Sequence, residues 1–199
     1  MIESGVDREG HSLRLLVWQG LKGFSTDALF QFLGDRDVIV RSITAKELQV
    51  RGGRKVFDHA SHLLTRKRMY QRELGSFLLG QLGTPKRPFK QQSIKLLLNS
   101  LKSETNAIVR TMIITSLAQL KAADAINTVV SYVNDRSPGV RGSVAFAIGM
   151  IYCDRPKKIP LRLDKVLRRL QADKSRTVRE FASLGRRLLE GKNRSDAPR

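Results

Sequence analysis

Residues 134–151 read NDRSPGVRGSVAFAIGMI. After its polar opening the stretch is almost all small or apolar, the composition of a helix packed on most sides. It nevertheless keeps Arg141 near its start. The same phrase returns along the chain. Aligned on that arginine, GDRDVIVRSITAKELQV places Arg41, TRKRMYQRELGSFLLGQLG places Arg72, SETNAIVRTMIITSLAQLK places Arg110 and ADKSRTVREFASLGRRLL places Arg179 in one register. Valine precedes the arginine in four of the five segments. Six positions before it stand Asp35, Arg66, Glu104, Asp135 and Asp173, and seven positions after it Leu48, Leu79, Leu117, Ile148 and Arg186. The arginines are spaced 31, 38, 31 and 38 residues apart, a period that signals stacked helical pairs.

Each unit also contains a first helix. The pattern predicts these at Thr26–Leu33, Lys55–Thr65, Phe89–Lys102, Ala125–Asn134 and Leu161–Ala172, with Ser25 or Thr26 capping the first and Asp124 the fourth. Each second helix is expected from about two residues before its arginine to about ten after it. One helical pair cannot bury its own apolar faces, so neighbouring pairs must stack. The expected fold is all-α, a right-handed α-solenoid of about five helical-pair repeats. Residues 1–24 form an N-terminal tail and a capping helix over Leu13–Phe24 that packs Trp18 on the first unit. The array is expected over 25–191, with Gly191 expected to stop its last helix, and 192–199 are expected to form a disordered basic tail.

This arrangement suggests why the arginine is there. The acidic residue falls in the turn between the two helices, where it can accept from first-turn N–H groups and favour the helix dipole. The arginine, one turn further on, can reach turn carbonyls or the acid of its own or the next unit while its stem packs. Asp35, Arg41, Arg72, Glu104, Arg110, Asp135, Arg141, Asp173 and Arg179 form this expected ladder. Direct ligand contact by the five arginines is the competing reading.

The phrase resembles the HEAT repeat, in its short phycobilisome-lyase-like form, over about residues 25–190. AKELQVRGG and RELGSFLLGQ narrow the resemblance to bacterial members. The resemblance implies an armadillo-like superhelix. It does not by itself imply an activity, because the fold hosts many roles.

The bulk composition agrees with packed helices. Hydrophobic residues make up 41% and aromatics only 6%, leaving a core of Leu, Ile, Val and Ala. The longest apolar run, Val144 to Cys153, is well short of the about 20 residues a membrane span needs. A single cysteine, Cys153, and no leader pattern at the start point to a reducing, bacterial-type cytoplasm.

Catalytic signals are weak. His59 and His62 have ligand spacing on a helix, but no third ligand is evident and no His-Glu pair of the deoxyhypusine hydroxylase kind occurs. Cys153 follows an apolar helix without a partnering base, and no G-x-S-x-G phrase is present. Gly52–Gly53 reads as a helix stop without the context of a phosphate loop. No cofactor or metal is expected, and no catalytic residue is assigned. HEAT-like DNA glycosylases remain an enzymatic alternative, as does a lyase- or chaperone-like role on a pigment-protein.

Charge is the remaining clue. The chain carries 37 Lys and Arg against 18 Asp and Glu, net +19. The excess is uneven: −1 over residues 1–50, +9 over 51–100, +2 over 101–150 and +9 over 151–199. Two proline-bearing insertions account for the longer spacings. TPKRPFK carries Lys86, Arg87 and Lys90, and DRPKKIP carries Arg155, Lys157 and Lys158. Equivalent positions in a solenoid share an edge. Arg66, Lys67 and Arg68 are expected on the opposite edge, and Lys165, Arg168 and Arg169 on the last first-helix. These basic edges either solubilise the array or bind an acidic partner. The expected protein is a non-enzymatic scaffold, a monomer or weak dimer off the membrane, engaging an acidic protein. Sequence-tolerant nucleic-acid binding is the alternative.

Overall fold

The computed structural model describes residues 6–154 and 159–190. Among them it is all-helical, with eleven α-helices and two short 3-10 segments. The chain divides into two compact units, Met1–Phe89 and Lys90–Arg199.

The first unit opens with α1 (Val6–Leu21), which starts seven residues before the expected Leu13. Two helical pairs follow: α2 (Thr26–Phe32) with α3 (Val38–Arg51), and α4 (Gly53–Leu63) with α5 (Met69–Gln81). Ser25 caps α2, its Oγ accepting from the Ala28 N–H at 3.2 Å. The Gly52–Gly53 pair ends α3 and starts α4 with both residues at positive φ, 64° and 85°, which glycine adopts without a Cβ penalty. The α1 helix is fastened through a buried carboxylate. Trp18 Nε1 donates to Glu47 Oε2 at 2.7 Å, and Arg51 Nε donates to Glu47 Oε1 at 2.8 Å. The Arg51 guanidinium also reaches the carbonyls of Leu21, Lys22 and Phe24, satisfying the end of α1.

The second unit contains α6 (Lys90–Ser103) with α7 (Ala107–Gln119), a broken first helix with α9 (Pro138–Tyr152), and α10 (Leu161–Gln171) with α11 (Arg176–Leu189). The break corrects the expectation for Ala125–Asn134. There the chain runs as a 3-10 turn Ala123–Ala125, a short α8 (Ile126–Val130) and a second 3-10 turn Ser131–Asn134. Asn127, Thr128, Val129 and Val130 are poor helix formers. Ser131 Oγ also donates to the Thr128 carbonyl at 2.7 Å, competing with the helical ladder. Asp124 lies inside the first 3-10 turn and caps nothing, because Ala122 holds the N-cap position without a side-chain bond.

The repeat register appears directly in the core. Leu48, Leu79, Leu117 and Ile148, each seven residues past its arginine, are at most 1% exposed. Burying each stabilises the fold by about 2 kcal/mol. Val109, Val140 and Val178, just before their arginines, are fully buried. Within the second unit α9 and α11 cross at glycines. A Cβ built on Gly149 would stand 2.5 Å from the Gly185 Cα, and one on Gly185 would stand 2.6 Å from the Ala145 carbonyl oxygen.

Candidate interaction surface

The repeat arginines share one local geometry. Arg41 Nη1 donates to the carbonyls of Asp35 and Arg36 at 2.7 and 2.9 Å. Arg72 does the same to Arg66 and Lys67, Arg141 to Asp135 and Arg136, and Arg179 to Asp173 and Lys174. Arg110 reaches the Thr105 carbonyl. Each guanidinium thus folds back over the turn that precedes its own helix. The acid of the turn does a different task from the expected one. Asp35, Glu104, Asp135 and Asp173 each accept at 2.8 Å from the N–H two residues on, which belongs to the N-cap residue rather than to the first helical turn. This is an Asx-type turn, which orients the chain for helix entry. N-capping of α3 and α7 falls instead to Asp37 and Asn106.

Consecutive repeats of the second unit are joined through the remaining guanidinium nitrogens. Arg110 Nη1 lies 2.8 Å from Asp135 Oδ2. Arg141 Nε and Nη2 grip Asp173 Oδ2 and Oδ1, both at 2.8 Å. The hydrogen bonds from Arg141 outweigh burial and hold the Asp173 carboxyl at a pKa of about 2. In the first unit the pairing fails where Arg66 replaces the acid. There Arg41 stacks over the Tyr70 ring, 4.8 Å from its centroid.

The candidate basic residues are distributed unevenly. Arg66, Lys67 and Arg68 are exposed in the turn before α5, where Arg68 is the N-cap residue without a side-chain cap. Lys86 is exposed and Arg87 half-buried, in the loop that precedes α6. Lys90, half-buried, is the first residue of α6. Arg155, Lys157 and Lys158 lie outside the described residues. Arg168 is exposed and pairs with Asp164 at 2.8 Å, and Arg169 is exposed and donates to the neutral Asn134 side chain. Asp164 also receives Arg186 at 2.6 Å, and this bond, foremost, holds its carboxyl below the usual range. Arg186 is therefore turned back onto α10 rather than outward with Arg187.

One basic face is missing from the sequence reading. Arg176, Arg179, Glu180, Ser183 and Arg187 line a shallow concavity of about 310 Å³ on α11. Their i, i+3, i+4, i+7, i+11 spacing puts them on one side of the helix, opposite buried Val178, Ala182 and Gly185. The spacing is legible in RTVREFASLGRR once Arg186 and Arg187 are assigned to different faces. The candidate histidines are structural neighbours of aromatic packing. His59 stacks on Phe30 with centroids 3.9 Å apart, and burial, then His62 and Arg66, lower its pKa. Among the described residues no cluster of His, Cys, Asp or Glu is arranged to hold a metal ion, and no helix is long and apolar enough to cross a membrane.

Comparison with known proteins agrees with this geometry. The family model for HEAT repeats matches residues 94–184. Protein YibA of Escherichia coli strain K12 is 29% identical over 175 residues, covering 84% of this chain, and YibA of strain O157:H7 matches equally. The chain spans 59% of the length of those relatives. The X-ray structure of E. coli YibA superposes with a TM-score of 0.72 at 25% identity, over 98% of this chain and 67% of that one. A designed armadillo repeat protein superposes at a TM-score of 0.53 and 16% identity, a likeness of fold alone. Among its described residues the chain is therefore an all-α helical-repeat protein, with residues 94–184 matching HEAT repeats, and it is similar to E. coli YibA.

Proposed function

We propose that this array is a non-enzymatic scaffold that binds an acidic protein partner through the exposed cations of its helical pairs. One observation carries the reading. In the second unit Asp135, Asp164 and Asp173 are engaged inward by Arg110, Arg168, Arg186 and Arg141, whereas Lys165, Lys174 and Arg187 stand exposed. These three carboxylates are consumed by the fold, so the cations beside them leave a positive field that attracts anionic partners. A stack of repeats presents that field over an extended surface.

Protein is favoured over nucleic acid because stacking platforms are scarce. Trp18 is tied to Glu47 through its indole N–H, and Phe146 and Phe181 pack edge to face with centroids 6.4 Å apart. Binding of single-stranded nucleic acid draws much of its affinity from aromatic stacking. The test is affinity capture with tagged wild-type protein and a Lys165→Glu/Arg169→Glu variant, each with and without nuclease. A stoichiometric protein retained after nuclease and lost from the variant supports the scaffold. Partners that vanish with nuclease would replace it with polyphosphate binding.

A further inference from the structure

We infer that the α11 face centred on Arg179 is an open rung of the repeat ladder that docks a carboxylate on an acidic turn of the partner. The inference rests on the scaffold reading above and names its site.

Equivalent arginines of the last two repeats differ in what they grip. Arg141 uses Nη1 for its own turn carbonyls and Nε with Nη2 for the Asp173 carboxylate of the next repeat. Arg179 uses Nη1 in the same way, on the carbonyls of Asp173 and Lys174 at 2.7 and 3.0 Å. Its Nε and Nη2 have no acceptor among the described residues. The turn that aims the fork is therefore intact, and among the described residues no carboxylate meets it. Planar guanidinium forks recognise carboxylates bidentately, and a fork held at one end loses less freedom on binding.

The surroundings match an anionic guest. Arg187 lies two to three turns further along the same face, exposed and without an ion pair among the described residues. Arg176 is balanced by Glu180 across one turn at 2.8 Å, an exposed pair that contributes little. Ser183 sits between Arg179 and Arg187 along this face and offers a hydroxyl. The concavity thus presents two open cations and one donor. The charge disfavours the simplest alternative guest, since a second copy of this chain carries a net charge of +19 towards a basic face.

The test uses the full chain and three probes: an oligo-glutamate peptide, an oligo-glutamine peptide of equal length, and a single-stranded oligonucleotide. Affinities and arginine Nε–H NMR signals are followed for the wild type, Arg179→Lys, Arg187→Gln and Arg168→Gln/Arg169→Gln. Arg187→Gln touches no turn carbonyl, so it remains informative if Arg179→Lys loosens the last repeat. The expected result is saturable oligo-glutamate binding that shifts the Arg179 Nε–H signal. Arg179→Lys and Arg187→Gln each weaken it about three- to fivefold, and Arg168→Gln/Arg169→Gln leaves it unchanged. Oligo-glutamate binding that depends on Arg168 and Arg169 but not on Arg179 or Arg187 would overturn the rung and leave the scaffold reading standing. Binding of the oligonucleotide without oligo-glutamate would overturn both. Tight binding by the wild type that is equal for oligo-glutamine would also overturn the rung.

Discussion

Arg141 and Asp173, 32 residues apart, meet as a two-pronged ion pair between consecutive repeats, with both N–O distances at 2.8 Å. The arginine is 7% exposed, and its third nitrogen is held by the turn carbonyls of Asp135 and Arg136. One side chain thus closes its own turn and fastens the next repeat, which explains an arginine in a helix otherwise built for burial. The Arg110–Asp135 pair repeats the link one unit earlier.

Arg141→Met therefore destabilises the second unit by about 3 kcal/mol, since it strands a half-buried carboxylate and two turn carbonyls. The double variant Arg141→Met/Asp173→Leu recovers part of that loss, because an apolar contact replaces an orphaned charge. Urea unfolding of the two single variants and the double variant checks this. Equal loss in Arg141→Met and the double variant would show that the turn carbonyls, not the ion pair, dominate.

Acid acts on the same pair with a definite sign. The folded-state pKa of Asp173 is about 2, below the unfolded value of about 3.9. Its contribution is fully present above about pH 4 and is lost as pH falls from about 4 towards 2. Urea midpoints measured across that window should fall more steeply for the wild type than for Asp173→Asn. Parallel curves would remove Asp173 as an acid-sensitive group.

The glycine crossing of α9 and α11 sets a steric limit. A Cβ at Gly149 would meet the Gly185 backbone at 2.5 Å, where no flexible side chain can give way. Gly149→Ala should cost about 3 kcal/mol or push the helices apart. Gly20→Ala in α1, with nothing within 4 Å of the added carbon, should leave stability unchanged or raise it by up to about 1 kcal/mol. Thermal unfolding of both variants distinguishes crowding from helix propensity.

Thr44 offers a gain. It is fully buried in α3, and its hydroxyl has no hydrogen-bond partner among the described residues. Thr44→Val keeps the shape, removes an unsatisfied polar group and should stabilise the first unit by about 1 kcal/mol. Lower stability in the variant would mean that the hydroxyl is satisfied by water in solution.

Much of this molecule follows from local sequence. The five second helices begin three residues before their arginines and run close to the expected lengths, because their caps and turn bonds involve residues six or fewer apart. The apolar register was legible for the same reason: Leu48, Leu79, Leu117 and Ile148 repeat a helical spacing that needs no knowledge of neighbours. The fractured first helix around α8 was less legible, since its apolar content suits a helix while its β-branched and polar residues favour tighter turns.

The sequence by itself determined the repeat, its period and the residues that close each turn, all set by side-chain and backbone chemistry over short separations. Only the tertiary structure decided which charges remain available. Arg186 is drawn to Asp164 and Arg168 joins it, while Arg141 captures Asp173; these pairs, apart from Arg168–Asp164, join residues 22 and 32 positions apart. Such partners meet only when helices stack, and the stacking is set by close packing such as the Gly149–Gly185 crossing. Arg179 carries the same motif as Arg141 and differs only in having no carboxylate opposite it among the described residues, a distinction that lies in space rather than in the local sequence.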